Sequence, residues 1–150
     1  MVGPGAGSGL NPQSVSTNDL FAEQSELETR PTDMGTGQQQ RGVLPSVYFD
    51  FDSSSIRVSE RAKLAQAADY LVSSPTARLL LEGHCDWRGT TEYNMGLGDR
   101  RAISVSDFLA TLGVDASRLE TLSKGDLDAT ESASADQMQQ DRRVELVVVR

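Results

Sequence analysis

Two aspartates, an arginine and an asparagine are spaced so that together they could grip a small charged group. Asp52 closes one apolar run and Asp86 follows another, while Asn94, Leu97 and Arg101 share one face of a helical pattern. An arginine takes a carboxylate through two parallel hydrogen bonds, and an aspartate takes an ammonium. The set describes a receptor for the zwitterionic head of an amino acid. The bland alternative makes Asp52 and Asp86 turn residues and Arg101 an architectural ion pair to Asp86. Spacing alone leaves both open.

Other chemistry fits these residues less well. His84 and Cys85, the sole histidine and cysteine, are adjacent at a strand end. Neighbours on a strand point to opposite faces, so they do not meet as base and nucleophile. One histidine and one cysteine without paired spacing do not fill a tetrahedral metal shell. The acidic "DLD" at 126–128 lacks the glycine and terminal glutamate of a calcium loop. The glycines of "GLGDRR" lie inside a helical pattern and not in a phosphate-binding turn. Two carboxylates alone resemble a glycosidase pair, but no water-activating base accompanies them. No catalytic residue, metal or cofactor is expected.

The elements that must position the set are legible from periodicity. "SVYFDF" reads as a strand with Val47, Phe49 and Phe51 alternating. "SERAKLAQAADYLVSSP" reads as a helix capped by Ser59, with an apolar stripe of Ala62, Leu64, Ala65, Ala68 and Leu71, and Pro75 beyond it. "ARLLLEGH" is a buried strand. Residues 91–112 form the longest helix, capped by Thr90 and stopped at Gly113. "LETLSKG" is a short strand or turn, residues 126–140 are a polar loop with one helical turn, and "RRVELVVV" is a closing strand. Neighbouring parallel strands would bring Asp52 and Asp86 to one rim. The expected fold is an α/β (α+β) two-layer sandwich, order β-α-β-α-β-β, with a mixed sheet and helices on one face.

Composition bounds the partners. The chain has 150 residues and a formal net charge of −8, which argues against nucleic acid and against adhesion to anionic lipid. A single cysteine excludes an internal disulfide. No apolar run reaches the ~18 residues of a membrane span. The start, "MVGPGAGSGL", has neither the basic nor the apolar region of a signal peptide. Residues 1–44 are rich in Gly, Ser, Thr, Gln and Pro without apolar period, and are expected to be a disordered linker of roughly 35–40 Å r.m.s. span. Residues 45–150 carry the globular pattern.

The stretch from "VYFDFDSSSI" to "RRVELVVV" resembles the OmpA-like peptidoglycan-binding domain, and within it the peptidoglycan-associated lipoprotein (Pal) branch. The central block follows that family's G-H-x-D-x-x-G…N-x-x-L-x-x-x-R-A at Gly83, His84, Asp86, Gly89, Asn94, Leu97, Arg101 and Ala102. The resemblance implies non-catalytic capture of the meso-diaminopimelate stem peptide of peptidoglycan. It assigns Asp86 to the ligand's ammonium and Arg101 to its carboxylate, with Asp52 assisting. It gives Phe51 and Leu97 to the pocket wall, Asn94 to the helix start, and Arg88 and Gly89 to the rim. It further implies a periplasmic location at the outer membrane, an anchor through an N-terminal lipid outside this stretch, and partners similar to TolB and TolA. Its alternative is an interaction module of the Tol–Pal type whose main ligand is a TolB-like protein. Three residues depart from the pattern: Thr91 for a common proline, Trp87 for a common acid, and Asp141 for an asparagine, where it would pair with Arg142 or Arg143.

Overall fold

The computed structural model describes residues 37–150. The expected disordered tail lies outside the described residues except for its last few. In chain order the elements are β1 (Gln39–Gln40), β2 (Val47–Tyr48), α1 (Arg61–Ser73), β3 (Arg78–His84), α2 (Thr91–Thr111), β4 (Leu119–Gly125), α3 (Ala135–Asp141) and β5 (Arg143–Val149). β5 pairs antiparallel with β3 on one side and with both short strands on the other, and β3 pairs parallel with β4. The sheet is therefore mixed, and the fold is the expected α/β sandwich with an extra short strand. The globular pattern begins upstream of Pro45, because Gln39–Gln40 pair with Val148–Val149 and Leu44 is buried in the core.

β3 and β5 are buried along most of their length, which is why both read as near-continuous apolar runs. One face carries Leu79, Leu81, Val144, Leu146 and Val148 into a core shared with Leu64 and Leu71 of α1 and Val105 and Leu109 of α2. α2 begins where the Thr90 hydroxyl accepts the Tyr93 N–H at 3.1 Å, and the chain turns away at Gly113 with φ 97°.

Four local expectations need correction. Ser59 does not cap α1; it lies in a 3₁₀ turn over Val58–Glu60 that leads into the helix. Glu60 is buried there and accepts from Tyr48 N at 2.8 Å and Lys63 Nζ at 2.9 Å, tying β2 to the helix start. In α1, Ala67 fills the core while Ala62 and Ala65 face solvent. The first strand stops at Tyr48, so Phe51 leaves the alternation and is exposed, and Asp52 sits in a turn with φ 54°. β2 and β3 run in the same direction but are not neighbours, because β5 lies between them.

α2 crosses β3 at unusually close range. A Cβ on Gly83 would lie 1.8 Å from the Gly98 carbonyl oxygen, and one on Gly98 would lie 2.8 Å from the Gly83 oxygen. This contact lowers the helix backbone onto the end of β3, and Ser123 Oγ of β4 fixes it by donating to Met95 O at 2.6 Å. Gly83→Ala is expected to lose about 1–3 kcal/mol or more, since two backbones must separate. Gly96→Ala, in the same helix with only the Arg100 guanidinium within reach at 3.4 Å, should gain about 0.5–1 kcal/mol. Urea unfolding of both variants checks the contrast, and equal effects would contradict the close crossing.

Candidate functional site

The residues singled out in the sequence converge. The acids Asp52 and Asp86, the arginines Arg88 and Arg101, and Phe51, Gly89, Asn94 and Leu97 all line one cavity of about 440 Å³. The cavity opens at the end of the sheet where β2 and β3 both terminate. It is walled by the first two turns of α2.

Arg101 is the deepest polar group, fully buried on the inner face of α2. Its Nε donates to Ser53 O at 2.7 Å, Nη1 to His84 O at 2.9 Å and Nη2 to Asp50 O at 3.0 Å. Nη1 also approaches Cys85 Sγ at 3.6 Å. These acceptors are neutral, and among the described residues no carboxylate is ion-paired to this guanidinium. Burial pulls the Arg101 pKa below its ordinary value, against the attraction of Cys85, Asp86 and Asp52. The architectural ion pair between Arg101 and Asp86 that the bland alternative required is therefore absent among the described residues.

Asp86 is engaged elsewhere. Its carboxylate accepts from Arg88 Nη2 at 2.8 Å, Arg88 Nε at 3.2 Å, the Arg88 N–H at 3.1 Å and Arg142 Nη1 at 3.3 Å. Burial alone would raise the Asp86 pKa, but the hydrogen bonds from Arg88 and Arg142 outweigh it and hold the acid below the ordinary aspartate range. The Arg88 guanidinium lies 3.9 Å over the Phe51 ring. Asn94 is buried and donates to Arg88 O at 2.8 Å and to Asp126 Oδ2 at 3.0 Å, so it pins the turn that carries Arg88. Gly89, at φ 95°, lets that turn close. Asp52 stands at the exposed rim, where its carboxylate accepts from the Tyr93 hydroxyl.

Sequence reasoning missed Arg142, Tyr93, Thr90 and Cys85 as lining residues. Arg142 had a readable signal. Val144, Leu146 and Val148 face the core, so strand parity places Arg142 on the same side. It is anchored by donating Nε to Phe49 O at 2.9 Å. The expected pairing of Asp141 with Arg142 or Arg143 does not occur. Asp141 accepts from Gln137 Nε2 at 2.9 Å, and Arg143 pairs with Glu145 at 2.6 Å. Cys85 is buried, and burial pushes its thiol up to about 11 despite the neighbouring Arg101, which makes it a poor nucleophile. Trp87 is exposed and outside the lining.

The cavity thus carries three guanidinium groups against two carboxylates, in a chain whose net charge is −8.

This fold has known counterparts. The OmpA family profile matches residues 48–143, and the chain belongs to the OmpA family. Within it, the chain is similar to peptidoglycan-associated lipoproteins. It is 48% identical over 79 residues to that of Agrobacterium fabrum, covering 53% of this chain and 45% of the relative. It is 40% identical over 105 residues to that of Pseudomonas aeruginosa, covering 69% and 62%. The chain therefore spans about half of the first relative and 62% of the second. The crystal structure of the Burkholderia pseudomallei peptidoglycan-associated lipoprotein superposes with a TM-score of 0.66 at 40% identity, covering 73% of this chain and 90% of that one. The C-terminal domain of Helicobacter pylori MotB shares the fold, with a TM-score of 0.65 at 18% identity over 71% of this chain and 85% of that one.

Followed by carboxyl-carbon NMR, Asp86 is expected to titrate below the ordinary aspartate range. Because the folded value is the lower one, its contribution to stability is complete above the unfolded value. That contribution disappears only as pH falls through the folded value. A normal or raised value would mean that Arg88 and Arg142 do not hold the carboxylate.

Proposed function

We propose that the cavity binds the free amino-acid head of the meso-diaminopimelate residue in a peptidoglycan stem peptide, without catalysis. The observation that carries this reading is Arg101, a buried guanidinium with its donors fixed by main-chain carbonyls and its charge unpaired. A ligand carboxylate supplies the missing anion through the charge-assisted bonds guanidinium groups prefer. Asp86, assisted by Asp52, takes the ligand's ammonium, which replaces Arg88 on that carboxylate. Phe51 and Leu97 wall the ligand's alkyl chain, while Asn94 and Gly89 hold the turn. The Pal names of the relatives support the same ligand class. The folded unit that begins near Gln38 acts as the wall-binding domain and the residues before it as its tether, at the periplasmic side of an outer membrane to which the natural protein is anchored by lipid.

One feature favours a second, compatible role. Phe51, Tyr93 and Trp87 are all exposed near the mouth, and such aromatics suit a protein partner. A Tol–Pal-type module would dock TolB-like or TolA-like proteins there. Competition between such a partner and the stem peptide separates shared from distinct surfaces.

The test is calorimetric titration with a diaminopimelate stem peptide and with its lysine counterpart. The lysine peptide keeps the side-chain ammonium but offers Arg101 no carboxylate. It should bind about 30- to several-thousand-fold more weakly, as expected for a desolvated charge left without its partner at about 2–5 kcal/mol. Asp86→Asn should weaken the diaminopimelate peptide within the same range while thermal unfolding stays cooperative. Equal affinity for the two peptides would reject the assignment.

A further inference from the structure

Away from the cavity, on the sheet face opposite α1 and α2, β3 and β5 set Glu82 directly across from Glu145. Two carboxylates so placed repel each other, and Arg41 and Arg143 are the cations that now offset the repulsion. His84 lies two residues along β3 and is buried, as is Glu82. Its Nε2 points between the acids, 3.7 Å from Glu82 Oε1 and 3.8 Å from Glu145 Oε2. That nitrogen is buried and has no hydrogen-bond partner.

Neither proton state of the imidazole satisfies this position by itself. A proton on Nε2 would be too far from either oxygen for a hydrogen bond, which requires roughly 2.7–3.2 Å. A lone pair on Nε2 would face two anions. In the second state the proton sits on Nδ1, and the Asp128 carboxylate 3.9 Å away is too distant to hold it by a direct hydrogen bond. The three ligand atoms already lie within 4.8 Å of one another. A tetrahedral ion about 2.0–2.2 Å from each would draw them to roughly 3.3–3.6 Å apart, so the widest pair closes by about 1 Å through rotation of the carboxylates.

We propose that Glu82, His84 and Glu145 form a binding site for Zn²⁺ or a similar first-row divalent ion, with Arg41 as its gate. Sequence reasoning set metal aside because His84 was weighed with Cys85; the fold gives it two glutamates from adjacent strands instead. One imidazole and two carboxylates match the nitrogen and oxygen donors such ions take, with water in the fourth place. Arg41 now bridges the acids, with Nη1 2.8 Å from Glu82 Oε1 and 3.0 Å from Glu145 Oε1, and Nη2 3.0 Å from Glu82 Oε2. Its side chain is 47% exposed, so it can swing into water and yield Glu82 and Glu145 Oε1 to an ion, while Arg143 keeps Glu145 Oε2, which it holds at 2.6 and 3.0 Å. The inference is independent of the stem-peptide reading.

The experiment titrates zinc chloride into the full chain and into Arg41→Ala, by calorimetry and by imidazole nitrogen NMR. Arg41→Ala should bind one ion per chain at least roughly tenfold more tightly than the wild type, with the His84 Nε2 resonance shifting on binding. Glu145→Gln, a change at the more exposed acid, should weaken binding by at least the same factor in the Arg41→Ala background. An Arg41→Ala chain that takes up no zinc overturns the site, as does one whose His84 Nε2 resonance does not move. So does binding that ignores Glu145→Gln.

Discussion

A guanidinium sealed from water and bonded only to neutral partners, three main-chain oxygens and a thiol, is the constraint on which the site depends. Arg101 draws together three separate pieces of chain: the turn at Asp50 and Ser53, the end of β3 at His84, and its own helix. Removing such a charge from water costs several kcal/mol even after relaxation. Carbonyl dipoles recover part of that cost by occupying the N–H groups, but they do not neutralise the ion. The position is reachable only because the glycine pair Gly83 and Gly98 lets α2 lie directly on β3. Fold and site are therefore one design, in which the closest backbone contact sets the depth of the cation.

The two poles of the cavity are prepared differently. Arg101 is held in place by main-chain bonds before any ligand arrives, which is the sense in which a site is preorganised, and being fully buried it is reached by an anion only when the groups over it move. Asp86 is held by Arg142, itself anchored to Phe49 O, and by Arg88, which is part-exposed and rests on an exposed phenylalanine. Arg88 is the partner free to leave. In the proposed complex, an ammonium at Asp86 would replace one cation by another and so preserve the local charge balance. A carboxylate arriving at Arg101 adds a charge the protein itself does not supply.

Much of this was legible in the sequence, and the reasons differ from residue to residue. α2 was read nearly to its ends because Thr90 and Gly113 act through local geometry. β3 and β5 were legible because burial on both faces leaves a continuous apolar run. The convergence of Asp86, Asn94, Leu97 and Arg101 followed from helical spacing and from a specific motif. Pairing partners were not legible, since they depend on register and strand order. Spacing could not reveal that β5 would separate β2 from β3, that Arg142 and not Arg101 would reach Asp86, or that Glu145 would face Glu82. The Ser59 cap failed for a related reason: a buried glutamate one residue on is bound to β2, and tertiary contacts outweighed the local signal.

The unpaired charge of Arg101 can be observed directly. Labelled at its guanidinium nitrogens, the protein would be titrated with a diaminopimelate stem peptide and with the same peptide carrying an amide in place of the side-chain carboxylate. The account predicts that the Arg101 Nε resonance moves with the acid form and stays in place, at matched occupancy, with the amide. Identical displacement by both peptides, or none by either while the peptide binds, would contradict it.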